Sequence, residues 1–404
     1  MRYRTVISIT ALVAVALVAL LGGVAARDGT PTASAAEPDA ARQALRLGLE
    51  LQQRARVTGD PRLYGPAELN LRRSLALQPG YAPALRGLAA LAASRHRFAE
   101  SLGYAERARR LEPDVASVYG LIGDANLELG RYEQAFAAFD RMTRMKPSAS
   151  AYARVSYARQ LRGDIDGAIA AMVLATRAVP FGEPAAWTRT LLGGLLAGAG
   201  RPDEAAFRFR EALSVRPGYR GALAGLAKLA IGRGDDVTAH SYLRRAARDS
   251  VVPEYQATLG DVLERLGRLP EARRAWDEAE RLEHLFALNG GRNLIETAEF
   301  DLDHDRNLRS ALDRARRGRA ERPSVEGDHV LAWALYKNGR CREARAVSLR
   351  SFRLSETDVD GVYHHSLIEA CLGNDEAAAA YRAKVRRLDP TYLAGAASAR
   401  RLQS

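Results

Sequence analysis

From about residue 80 onward, apolar residues recur at helical i, i+3, i+4 spacing in short segments, most of them interrupted by a glycine with Arg or Asp after it. Around Gly130 the first segment carries Tyr119, Ile122, Ala125 and Asn126, and the second carries Ala135, Phe139 and Met142. Glycine accepts the positive φ that stops a helix, so this pattern predicts two helices and a tight turn. The marks recur. Seven glycines (Gly130, Gly163, Gly200, Gly234, Gly267, Gly339 and Gly373) have alanine five residues later and a small residue seven residues earlier. Small side chains on both helices allow close antiparallel approach. Proline at 147, 180, 217 and 390, seventeen residues after four of these glycines, ends the second helix. Each unit is therefore a helical hairpin of about 34 residues, and the predicted chain is all-α.

Successive glycines lie 33, 37, 34 and 33 residues apart, and the last pair 34. The gap of 72 between Gly267 and Gly339 holds two units; the middle one has lost its glycine but keeps Ala311 and Pro323. In residues 82–115, His96 and Ser101 replace the usual glycine and alanine. This divides the chain into residues 36–81, a divergent first hairpin whose turn TGDPRLYGP is about three residues too long; residues 82–391, about nine tandem units; and residues 392–404, a capping helix that covers the terminal apolar face.

The segment YGLIGDANLELGRYEQAFAAFDRMTRMKP, residues 119–147, resembles the tetratricopeptide repeat (TPR), with Tyr119, Gly123, Gly130, Tyr132, Ala135, Phe139 and Pro147 at the family's marked places. The resemblance covers about residues 80–392 and implies a tandem helix-turn-helix superhelical solenoid. It also implies that the first helix of each hairpin lines a concave surface that binds extended peptides. Inward residues would then include Arg86, Asp124, Tyr157, Gln160, Trp187 and Lys228 early, and Asp261, Glu264, Glu296, Phe300, Asp303, Glu326, His329, Trp333, Tyr336 and Tyr363 later. The later half is acidic and aromatic, the anatomy of a binding hot spot for a basic or apolar segment. Glu296, Phe300, Asp303, His329, Trp333, Tyr336 and Tyr363 are the candidate groove residues; the alternative is that several of these aromatics pack between units. The Lys, Asn and Arg set with which chaperone-binding relatives hold a C-terminal carboxylate is not visible, its places being mostly Gly, Ala, Asp and Glu.

Charge changes this picture little. The net charge is +12, but 56 of the 60 basic residues are Arg, which points to G+C-rich coding, and the excess is spread along the chain instead of forming a stripe. A nucleic-acid partner is therefore not expected. The N-terminus adds a location. Met1-Arg2-Tyr3-Arg4 is basic, Val6 to Val24 is uncharged and almost wholly apolar, and Ala33-Ser34-Ala35 ends a small, polar stretch. Residues 1–35 therefore read as a secretory signal peptide or, if retained, a single-pass anchor; either way the body is extracytoplasmic, secreted or tethered to the cytoplasmic membrane, as in an exported bacterial member of the family.

Two cysteines suit an exported chain. Cys341 opens the second helix of one hairpin and Cys371 closes the first helix of the next, so they form either a disulfide or two separate core thiols. Asp301-Leu302-Asp303-His304-Asp305 lacks the glycine and glutamate of a calcium loop and reads as the solvated turn of the degenerate unit. Of His364 and His365, one is expected to face the core and the other solvent. No metal, cofactor or catalytic motif stands out. The function expected is an exported scaffold that binds a protein or peptide in its groove; the alternative is an envelope-assembly accessory acting with glycan or peptidoglycan machinery.

Overall fold

The computed structural model describes residues 37–389 and Tyr392. The signal-or-anchor segment and, apart from Tyr392, the C-terminal capping helix lie outside the described residues. Among those described there are twenty α-helices, one 3₁₀ turn and no strand. The helices are α1 (Glu37–Thr58), α2 (Tyr64–Leu77), α3 (Ala82–Ser94), α4 (Phe98–Leu111), α5 (Ala116–Glu128), α6 (Tyr132–Met145), α7 (Ala149–Leu161), α8 (Ile165–Ala178), α9 (Gly182–Gly198) and α10 (Pro202–Val215). They continue as α11 (Arg220–Gly232), α12 (Asp236–Ala247), α13 (Pro253–Arg265), α14 (Leu269–Leu288), α15 (Leu294–Asp303), α16 (Leu308–Glu321), α17 (Val325–Lys337), α18 (Cys341–Ser351), α19 (Val359–Cys371) and α20 (Asp375–Leu388). Odd and even helices pair as hairpins, giving a solenoid of TPR type. The extra residues between α1 and α2 form the 3₁₀ turn Pro61–Leu63, capped by the Asp60 side chain accepting from the Arg62 N–H.

The hairpin marks act through backbone and packing. Gly130 has φ +69°, and the Arg131 N–H donates back to the Asn126 carbonyl at 2.8 Å, closing the end of α5. The units without glycine make the same turn. His96 and Asp305 take φ +56° and +53°, with Arg97 N–H to Ala92 O and Arg306 N–H to Asp301 O both 2.8 Å. Close approach explains the small residues. A Cβ at Gly123 would lie 2.2 Å from the Phe139 ring, and Phe209 fills the space left by Gly193 and Gly225 alike. The alanines five residues past the turn, from Ala135 to Ala344, are wholly buried.

By contact density the described chain forms two units. The N-terminal unit comprises residues 37–155 with Glu283–Arg292. Inside it Arg154 is completely buried and grips Asp124 with two bonds, Nε–Oδ1 2.9 Å and Nη2–Oδ2 2.6 Å. Its Glu283–Arg292 segment lies on the α3–α4 turn, where Arg97 donates to the Gly290 carbonyl at 2.9 Å.

The C-terminal unit comprises residues 156–282 and 293–389 with Tyr392. One of its cores runs through α15 to α20 and includes Ile295, Leu302, Val330, Trp333 and Ile368. Cys341 and Cys371 are joined in a disulfide that ties α18 to α19, their Cα atoms 6.2 Å apart.

Two expectations are corrected here. The Asp301–Asp305 run is a solvated turn only at its end, where Asp305 is exposed. Asp301 and His304 are buried because α15 extends to Asp303; Asp301 pairs with Arg314 of its own hairpin, while His304 and Asp305 pair with Asp261 and Lys337 of the neighbouring ones. Likewise both His364 and His365 are buried. Packing on both faces of α19 covers them, His364 against Trp333 and His365 against Ser348 and Tyr381.

Candidate functional site

The C-terminal unit encloses a cavity of about 500 Å³, lined by the inner helices α7, α9, α11, α13 and α17 and by the segment from Ser351 to Asp360. That segment closes the cavity from the far side: a Cβ at Gly163, in the α7–α8 turn, would sit 3.3 Å from Ser355 and 3.4 Å from Thr357. One wall is apolar, formed by Leu191, Gly194 and Leu195 of α9 and Ala224, Gly225 and Leu229 of α11. These helices are rich in Ala, Leu and Gly, so their inner faces offer low relief; beyond its chain neighbours and the backbone of its own helix, nothing lies within 4 Å of the place a Gly194 side chain would take.

The opposite wall is anionic. Glu326 of α17, Asp358 and Asp360 at the start of α19, and Asp389 reach the cavity, with Asp261 of α13 beside them. Asp358 caps α19, accepting from the Gly361 N–H at 3.1 Å, and lies 3.5 Å from His329 Nδ1. Asp360 accepts a hydrogen bond from the Tyr392 hydroxyl. Behind them stand Glu296, Glu299 and Asp303 of α15. Arg322 is already held there by Glu296 at 2.5 Å and Glu326 at 3.4 Å. Among the cations on the lining, Arg265 is bonded to Asp236 at 2.9 Å, Arg233 is exposed, and Lys228 moderates Asp360 from α11.

Burial and crowding of like charge shape the titration of this wall. Burial pushes the Glu299 carboxyl well above the usual carboxylate range, and Asp303, Glu326, Asp360 and Glu296 add to the effect. Asp303 is pushed up to about 7, mainly by burial, against the opposing pull of His304 and the Trp333 N–H. Asp360 is likewise pushed up to about 7 by burial and then by Asp358, with the Tyr392 hydroxyl and Lys228 opposing. Burial lowers His329 and His364, which share a hydrogen bond of 2.9 Å. Burial also works against a charged His304, but the Asp261 carboxylate, 2.8 Å away, outweighs it and raises that imidazole.

Of the seven candidate groove residues, His329 lines the cavity and the other six do not. Glu296 is the partner of Arg322. Phe300 is half-buried with its ring 4.3 Å from His304. Asp303 accepts from the Trp333 Nε1–H at 3.0 Å. Trp333 is buried, stacked flat on His364 at 3.7 Å and on Tyr336 at 5.1 Å. Tyr363 is buried against Tyr392. Trp333 and Tyr363 thus pack between hairpins. Other residues assigned to inner faces do reach the cavity: Tyr157, Gln160, Lys228, Asp261 and Glu326. Asp124 instead lies in the buried pair with Arg154. Asp358, Asp360 and Asp389 escape a helix-by-helix reading because they sit in or beside inter-hairpin linkers; the acidic density of Glu356, Asp358 and Asp360 was the available signal.

No helix among the described residues is long and apolar enough to cross a membrane. Tetratricopeptide repeat family models match residues 116–148 and 196–262. The chain is similar to a thermophilic TPR protein of Thermus thermophilus, at 22% identity and TM-score 0.43, over 48% of this chain and all of that one. It is also similar to the Cut9–Hcn1 hetero-tetramer of the APC/C, at 14% identity and TM-score 0.40, over 88% of this chain and 76% of that one. Yeast Tom70 aligns at 14% identity and TM-score 0.40, over 90% of this chain and 96% of that one. No curated protein matches.

Proposed function

We propose that this chain of tetratricopeptide repeats is an exported scaffold that takes an extended segment of a protein partner into the inner cavity of its C-terminal unit. Solenoids of stacked hairpins offer long concave surfaces suited to extended ligands. The observation that carries the reading is the cavity's pair of unlike walls: α9 and α11 offer aliphatic contact while α17 and α19 offer carboxylates. A peptide backbone with alternating side chains can satisfy both. The glycan alternative has less support, since an exposed aromatic platform is absent among the three tryptophans: Trp187, Trp276 and Trp333 are 7%, 8% and 4% exposed. Export rests on the basic, then apolar, then small-residue order of residues 1–35.

A photo-crosslinking amino acid at Gly194, where the cavity is open, should join the full-length chain to a protein in intact cells. The same group at Val237, 71% exposed on α12, should not. Equal labelling at both positions, or none at Gly194, contradicts the reading. Cell fractionation tests the location: recovery of the body in the cytoplasm would overturn export.

A further inference from the structure

We infer, building on the proposed function, that the segment bound is cationic: an arginine or lysine side chain enters between Glu326, Asp358 and Asp360 while its apolar neighbours lie against α9 and α11.

The argument is one of complementarity around the whole cavity. Each element facing the acidic corner can be named. From α11 comes Lys228; from α13 come Asp261 and Arg265; from α17 come Glu326 and His329; and the linker with α19 supplies Asp358 and Asp360, with Asp389 and the Tyr392 hydroxyl beyond. Arg265 is committed to Asp236, and Asp261 to His304 and to the Trp276 N–H at 2.9 Å. Behind the corner, α15 adds Glu296, Glu299 and Asp303, while Arg322 is shared by two carboxylates and His304 and Lys337 act on Asp303. His329 and His364, kept neutral by burial, give no compensating charge at neutral pH. Among the described residues carboxylates outnumber cations around this corner, and Asp360, with Glu299 and Asp303 behind it, holds its proton more tightly than usual. An incoming guanidinium or ammonium adds positive charge to a partly desolvated acidic site, where Coulomb attraction exceeds its value in water. The aliphatic stem of the same residue suits the apolar wall, since Lys and Arg bury their stems while keeping their heads polar.

Binding must then expel protons. Asp303 and Asp360 are partly protonated near pH 7 in the free protein. A bound cation favours their ionised forms, so the complex carries fewer protons than its components. Affinity therefore rises with pH and levels off above the free carboxyls' range. One proton released per peptide corresponds to about tenfold in affinity per pH unit.

The test is selection of nine-residue peptides from a random phage-displayed library on the full-length chain at pH 8. The best binder is then synthesised with arginine or lysine and, separately, with neutral citrulline or norleucine at that position. Enrichment of basic residues, at least tenfold weaker binding of the neutral peptide, and weaker binding of the basic peptide at pH 6 than at pH 8 are expected. Asp360→Asn and Glu326→Gln should each shrink the preference for the basic peptide while leaving the circular dichroism spectrum unchanged. Tight binders that lack a basic residue, or equal affinity for the basic and neutral peptides, would overturn the inference and leave the scaffold reading intact. Failure to select any peptide, with no crosslink at Gly194, would remove both.

Discussion

The two units are built from the same hairpin yet treat inward charge differently. In the N-terminal unit the inward and turn-facing charges are matched: Asp124 by Arg154, Arg86 by Glu112 and Arg95 by Glu68. In the C-terminal unit α15, α17 and α19 crowd carboxylates around a cavity, so that Glu299, Asp303 and Asp360 are all raised in pKa. Matched charge fixes how hairpins stack. Crowded charge costs stability, and in the proposed reading a bound cation offsets that cost. The repeat therefore sets the geometry, and its inward positions decide whether charge is matched or crowded.

Breaking the matched side should have the largest effect. Arg154→Ala leaves Asp124 buried without its cation, and the N-terminal unit should lose about 3–5 kcal/mol in urea unfolding. A loss below about 1 kcal/mol would mean that the pair is solvated and the contrast between the units is misdrawn. Next comes the disulfide. Reducing Cys341–Cys371, or replacing both with serine, should cost the C-terminal unit about 2–4 kcal/mol, through the denatured-state entropy of a loop spanning a sequence separation of 30. Proteolysis should then begin in α18 to α20, and no change in the cleavage sites would argue against the link.

On the crowded side the sign is reversed. The folded-state pKa of Asp303 and Asp360 lies near 7, against an ordinary 3.8, so the folded protein binds more protons than the unfolded chain between about pH 4 and 7. Stability falls as pH rises through that window. Asp360→Asn should therefore stabilise the chain at pH 8, by on the order of 1 kcal/mol, and change little at pH 4. Destabilisation at pH 8 would show that the carboxylate is paired in the free protein. The smallest effect belongs to the glycine-less turn. His96→Gly relieves a left-handed residue but forfeits ring contacts with Phe98 and Phe286, so unfolding should shift by no more than about 0.5 kcal/mol.

The hairpins were legible because each mark answers a local demand: positive φ at Gly130, or no room for a side chain at Gly123. Even the degenerate turns obey, since His96 and Asp305 adopt the conformation that glycine would have taken. The cavity was only partly legible. Tyr157, Gln160, Lys228, Asp261 and Glu326 follow from helix facing alone. Asp358 and Asp360 do not, for they reach the site through a linker that packs beside Gly163, nearly two hundred residues earlier in the chain. Aromatic residues were open to two readings for a related reason. Trp333 lies on an inner helix, but stacking on His364 and Tyr336 absorbs it into the layer behind the cavity. Periodicity states which way a residue points along its helix, whereas depth depends on what the next hairpins bring to it.

The acidic corner can be tested directly by following the side-chain carboxyl ¹³C resonances of Asp303 and Asp360 through a pH titration, with and without a saturating arginine-bearing peptide. Both should titrate near 7 in the free protein and at least one unit lower in the complex. Ordinary titration near 4 without peptide, or midpoints that the peptide does not move, would contradict a wall poised for a cation.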